Sequence, residues 1–138
     1  LIAVFVFFGT LVAKAQNNIA SPVPPPPQAV DSAAKPKRNS DLIIARAIEL
    51  YNRRDYIGAI NLLEKNKNIR EENVSWYYYY GLNLGRLDRH DEAIIQLDQF
   101  VKRSDLFASA RAFYFIGLMH FYKGNYDKAI NNLDVSLD

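Results

Sequence analysis

From Asp41 onward, apolar side chains recur at steps of three and four residues. Ile43, Ala47 and Leu50 form one stripe, and Ala59, Ile60 and Leu63 form the next. That spacing gathers apolar residues on one face of an α-helix. The stripes break at Arg54-Asp55, Asp88-Arg89 and Gly124-Asn125, where turn-forming residues interrupt the pattern. The pattern predicts an all-α domain with helices over 41–53, 56–67, 75–87, 90–103, 106–123 and 126–137. Asp55 and Asn125 stand where an N-cap side chain accepts a free backbone amide. Asp91 and Asp127 fall in the first turns of their helices, where the helix dipole favours a carboxylate.

The helices also repeat. Tyr56, Ala59 and Leu63 match His90, Ala93 and Leu97, and these match Tyr126, Ala129 and Leu133. The alanines lie 34 and 36 residues apart (59 to 93, 93 to 129). Gly81 and Gly117 each stand twelve residues before their alanine, and Ala47 holds that place in the first unit. Two helices approach closely only where a side chain is nearly absent. A glycine inside a helix costs about 1 kcal/mol relative to alanine, so its recurrence calls for a packing reason. Ala47, Ala59, Gly81, Ala93, Gly117 and Ala129 are therefore expected at the helix–helix contacts.

This arrangement resembles the tetratricopeptide repeat (TPR): a bulky residue, an apolar residue and glycine, an aromatic, a turn, then Tyr-x-x-Ala. The resemblance implies a helix-turn-helix repeat solenoid over residues 41–138. Its three units cover about 40–73, 74–109 and 110–138, the last lacking a capping helix. The first unit departs from the pattern, with Arg46 at an apolar position and Ala47 in place of glycine. The resemblance further implies a concave groove, lined by the first helix of each unit, that binds peptide segments. Carried over by position, its residues are Ile48 and Asn52, then Tyr78, Leu82 and Arg86, then Arg111, Tyr114, Leu118 and Tyr122. Ile44, Tyr51, Ser75 and Phe121 are assigned to the same groove by position. In the run Trp76 to Tyr80, Tyr77 and Tyr80 are expected to face the core and Tyr78 the groove. The aromatic groove positions serve either a ligand or the packing of neighbouring helices. The Lys and Asn clamp by which some TPR proteins hold acidic chaperone tails is replaced here by Ile44, Tyr78 and Tyr114, and by Ile48, Leu82 and Leu118. The expected ligand is therefore apolar or aromatic.

The first forty residues are of a different kind and contain all six prolines. The uncharged run LIAVFVFFGTLVA, whose last residue opens Ala13-Lys14-Ala15, reads as a secretory signal peptide over 1–15, its start missing. An uncleaved anchor and a buried helix are the alternatives. The run is short of the roughly 20 residues that span a membrane. Residues 16–40 read as a disordered linker, stiffened by polyproline II at Pro24 to Pro27. It serves as a spacer or, alternatively, as a ligand for a proline-binding domain. The expected location is exported, periplasmic or secreted.

Composition narrows the chemistry. There is no cysteine, hence no disulfide, thiolate metal site or cysteine nucleophile. Removing Lys14 with the signal leaves sixteen Lys and Arg against fifteen Asp and Glu, a balance that argues against nucleic-acid or anionic-membrane partners. The two histidines, His90 and His120, occupy repeat positions usually filled by aromatics and read as packing residues. No phosphate loop, metal-ligand spacing or nucleophile–base motif appears, so no catalytic residue, metal, cofactor or small-molecule substrate is expected. Asn73-Val74-Ser75 fits the glycosylation pattern.

These readings point to a non-enzymatic protein-interaction scaffold of the cell envelope or periplasm, with a protein or peptide partner. The alternative is the sensory or regulatory TPR region of a larger signalling protein whose output domain lies downstream. A third reading puts a catalytic domain there. Ile130, Leu133 and Leu137 mark an apolar stripe on the uncapped last helix, expected to meet further repeats of a longer chain or to drive self-association. Replacing Gly117 with Leu is expected to overpack its helix pair and cost about 1–3 kcal/mol or more. An unchanged melting curve for Gly117→Leu removes the packing explanation.

Overall fold

The computed structural model describes residues 38–137. The expected signal peptide and nearly all of the expected linker lie outside the described residues. Six α-helices follow in order: α1 (Asn39–Asn52), α2 (Tyr56–Lys65), α3 (Ser75–Arg86), α4 (His90–Val101), α5 (Leu106–Tyr122) and α6 (Tyr126–Val135). A 3₁₀ turn, Lys67–Glu71, stands between α2 and α3. No strand occurs among the described residues, and the fold is all-α. Each helix packs on the next, and α3 also touches α1 and α5.

The helix starts and stops follow from local chemistry. α1 begins two residues before the expected start, because Ser40 is buried and its hydroxyl donates to Glu72 Oε1 at 2.9 Å. Asn73 Nδ2 donates to Asp41 Oδ1 at 3.0 Å, tying the same end to the segment before α3. The 3₁₀ turn has no apolar period, and the pattern of the sequence does not announce it. Ile69 is its one buried residue and anchors it to the core. Beside it, Trp76 Nε1 donates to the Leu63 carbonyl at 2.8 Å.

The three tight turns share one geometry. Arg54, Asp88 and Gly124 all have positive φ, at 63°, 59° and 75°. In each case the next residue's amide bonds back to a carbonyl five residues earlier: Asp55 to Leu50 (2.9 Å), Arg89 to Leu84 (3.1 Å) and Asn125 to His120 (2.9 Å). A left-handed residue is what lets a helix end close this way. Caps differ from one turn to another. Asp55 Oδ1 accepts the Gly58 amide at 2.9 Å, and Asp105 Oδ1 accepts that of Ala108 at 2.8 Å. Asn125, expected to cap α6, makes no side-chain cap bond although its backbone angles match those of Asp55. A neutral amide oxygen is a weaker acceptor than a carboxylate. The first turn of α6 instead carries Asp127.

The core centres on α3. Nine of its twelve residues are buried, the polar Asn83 among them, so the helix is enclosed by its neighbours on most sides. Ala47, Ala59, Gly81, Ala93, Gly117 and Ala129 are all buried. A β-carbon on Gly81 would lie 2.9 Å from Leu97 Cγ and 3.2 Å from the Ala93 carbonyl oxygen. One on Gly117 would lie 2.8 Å from Leu133 Cγ and 3.2 Å from the Ala129 carbonyl oxygen. Those neighbours are a branched core side chain and a backbone, neither free to withdraw. At Gly85 the obstruction is the Met119 sulfur and methyl, at 2.9 and 3.0 Å, and methionine ends are adaptable. Gly81→Ala is therefore expected to destabilise by about 1–3 kcal/mol. Gly85→Ala is expected to be neutral or to gain up to about 1 kcal/mol of helix propensity. Denaturant titration of the two variants checks the contrast.

Candidate functional site

The residues assigned to the groove belong to α1, α3 and α5, the helices that lie side by side through α3. They divide into a buried and an exposed group. Tyr78 is 4% exposed and Leu82 is also buried, so neither presents a surface to a ligand. The reason is enclosure by the neighbouring helices: the Tyr78 ring lies 5.0 Å from that of Phe100 on α4 and 6.2 Å from that of Phe115 on α5. Ile48 and Leu118 are half-buried against the core. Asn52 and Arg86 are exposed, and Arg111 is half-buried. Tyr114 and Tyr122 are 41% and 63% exposed, with Phe121 exposed beside them.

Several of these groups meet across helices. Arg86 Nε donates to the Tyr51 hydroxyl at 3.0 Å, and its guanidinium sits 5.7 Å from the centre of the Tyr51 ring. Tyr122 stacks on His90 at 5.6 Å with the rings 22° apart. Burial raises the pKa of Tyr78, opposed by the nearby Arg111 guanidinium, and raises that of Tyr79 to about 12 against the same cation. Burial also raises the pKa of Tyr80 to about 12, assisted by Glu64, which accepts a hydrogen bond from its hydroxyl. These phenols stay neutral at ordinary pH and act as hydrogen-bonding groups. Burial, together with Lys128 and Lys123, lowers the pKa of His120, which favours a neutral imidazole.

The run Trp76 to Tyr80 is enclosed more completely than its periodicity implies: Trp76, Tyr77, Tyr78 and Tyr79 are all buried and Tyr80 half-buried. Tyr77 donates to Glu71 Oε1 at 2.9 Å. The sequence leaves the roles of Trp76 and Tyr79 open and does not single out Asn83, one helical turn from Tyr79 on α3. Asn83 Nδ2 donates to the Tyr79 carbonyl at 2.7 Å. The Tyr79 hydroxyl, Asn83 Oδ1 and Arg111 Nη1 are buried without a hydrogen-bond partner. The only signal was an asparagine amid the apolar stretch Tyr80 to Gly85. Among the described residues, no group of three or more His, Asp or Glu side chains gathers as metal ligands would.

The class that this fold defines is an all-α array of consecutive helix hairpins, with aromatic and arginine side chains exposed on α5 and at the end of α3. No protein-family model, curated protein or solved structure matches the chain. No helix among the described residues is long and apolar enough to cross a membrane. Because the Tyr79 hydroxyl is buried without a partner, Tyr79→Phe is expected to leave stability unchanged or to raise it by about 1 kcal/mol. Thermal melts of the two proteins give the sign.

Proposed function

We propose that this chain is a non-enzymatic, exported scaffold of TPR type that binds peptide segments along the face shared by α1, α3 and α5. The observation that carries this reading is the exposure of Tyr114, Phe121 and Tyr122 on α5, next to Arg111 on the same helix. Tyrosine offers a flat apolar body with a polar tip, a combination suited to recognition. Exposed aromatic groups and arginine supply most hot spots at interfaces. The positive-φ turns at 54, 88 and 124 support the repeat assignment, since they recur 34 and 36 residues apart (54 to 88, 88 to 124). The apolar run ending at Ala15 supports export.

The ligand class follows from what is exposed. Arg86 and Arg111 form no ion pair with a carboxylate among the described residues. The reading is thus of a peptide with aromatic or aliphatic anchors that tolerates an acidic residue. Screening an immobilised peptide library with the wild type and with Tyr114→Ala/Tyr122→Ala tests it. The double variant is expected to bind on the order of tenfold more weakly. Ile57→Ala/Ile95→Ala, on exposed positions of α2 and α4, is expected to bind as the wild type does. Equal binding by all three proteins removes the assigned face.

A further inference from the structure

The charges of the domain are segregated by helix. α3 and α5 contain no aspartate or glutamate, and their permanent charges are Arg86 and Arg111. On α1, Glu49 is engaged by Arg46 and Arg53, and Asp41 by Arg38. Asp105, just before α5, accepts the Ala108 amide as its cap. The other helical acids, Glu64, Asp91, Glu92, Asp98, Asp127 and Asp134, stand on α2, α4 and α6. The face shared by α1, α3 and α5 thus presents two arginines and no unengaged helical carboxylate among the described residues. Arg86 belongs to α3, which contacts both α1 and α5, so its neighbours on either side are in place.

The two arginines differ in access. Arg111 is half-buried, with one guanidinium nitrogen enclosed and without a partner. Arg86 is exposed, and the phenols of Tyr51, Tyr56 and Tyr122 all bear on its charge. Its Nε donates to the Tyr51 hydroxyl at 3.0 Å, and its two Nη nitrogens make no hydrogen bond among the described residues. A hydroxyl that accepts a bond keeps its own proton to donate. The bond at Nε also limits rotation of the planar guanidinium, whose fork matches a planar carboxylate. Arg38, Arg46, Arg53, Arg70 and Arg89 each lie beside a carboxylate of the chain itself, whereas Arg86 does not. We propose that Arg86 and the Tyr51 hydroxyl together bind a carboxylate of the peptide, so that this face selects acidic segments and does not merely tolerate them. The proposal rests on the reading of this face as peptide-binding and adds the charge that the ligand carries.

The test uses an immobilised library of short peptides rich in tyrosine and leucine, each made in matched forms. One pair carries Glu or Gln at the same position, and the other ends in a free acid or an amide. Binding of the full chain is measured for the wild type, Arg86→Gln, Tyr51→Phe and Lys67→Gln, with circular dichroism as the check on folding. The wild type is expected to bind the acid member of at least one pair about tenfold more tightly than its neutral member. Arg86→Gln is expected to weaken the acid form to the level of the neutral one, and Tyr51→Phe to reduce the preference in part. Lys67→Gln removes the same charge from an exposed site on the 3₁₀ turn and is expected to keep the preference. The pair that responds to Arg86→Gln tells a side-chain carboxylate from a terminal one. Equal binding of acid and neutral forms by the wild type overturns the proposal and leaves the peptide-binding reading standing. Binding of no form overturns both. A preference that survives Arg86→Gln, or that Lys67→Gln removes equally, also overturns the proposal, the latter by assigning it to net charge.

Discussion

Where α3 crosses α4, the backbone of Gly81 comes so near Leu97 and the Ala93 carbonyl that no β-carbon fits between them. The same approach brings Gly117 of α5 against Leu133 and Ala129 of α6. At that distance a leucine touches the backbone of the neighbouring helix itself. Dispersion contacts, each worth only about 0.1–0.2 kcal/mol, accumulate along the whole seam. A glycine weakens its own helix by about 1 kcal/mol, so the contact holds only because packing between helices outweighs local propensity. Leu97 is fully buried at this seam, whereas Leu133, at the same place on the open α6, is only partly covered.

Close approach alone does not make a hairpin; the chain must also reverse within a few residues. Arg54 and Asp88 achieve this with φ near +60° although neither is glycine. A left-handed backbone costs an ordinary residue roughly 1–2 kcal/mol. Two of the three turns accept that strain, and Gly124 avoids it. The backbone bond from each following amide closes the helix end and fixes where the next helix departs. Turn and seam thus constrain the same hairpin from its two ends.

The helices were legible in the sequence because their signals are local. A three-and-four period and an interruption by breakers need no knowledge of neighbours, and the observed ends lie within two residues of the expected ones. The aromatic run of α3 was not legible in that way. Periodicity divides Trp76 to Tyr80 between an inner and an outer face, but α1, α2, α4 and α5 all contact this helix and bury most of the run. Tyrosine tolerates such enclosure when its hydroxyl reaches an acceptor at the rim, as Tyr77 does with Glu71 and Tyr80 with Glu64. The 3₁₀ turn escaped for a related reason. It is held by one buried isoleucine and by tertiary hydrogen bonds, neither of which leaves a period in the sequence.

The contrast between Tyr78 and Tyr114 shows how one repeat position is buried in one place and open in another. The two lie 36 residues apart (78 to 114), the same residue at the same place on its helix. Tyr78 is enclosed because α5 follows α3 and sets Phe115 against it. Tyr114 is exposed among the described residues, since no further helix lies over it. The contrast between covered Ile94 and open Ile130 has the same cause. Chemistry at these positions is nearly constant, and exposure depends on whether the next helix is present. Among the described residues, α3, with the densest aromatic sequence, is the enclosed helix against which its neighbours pack. An aromatic residue at such a position suits either role, because it buries its ring under a helix as readily as under a ligand.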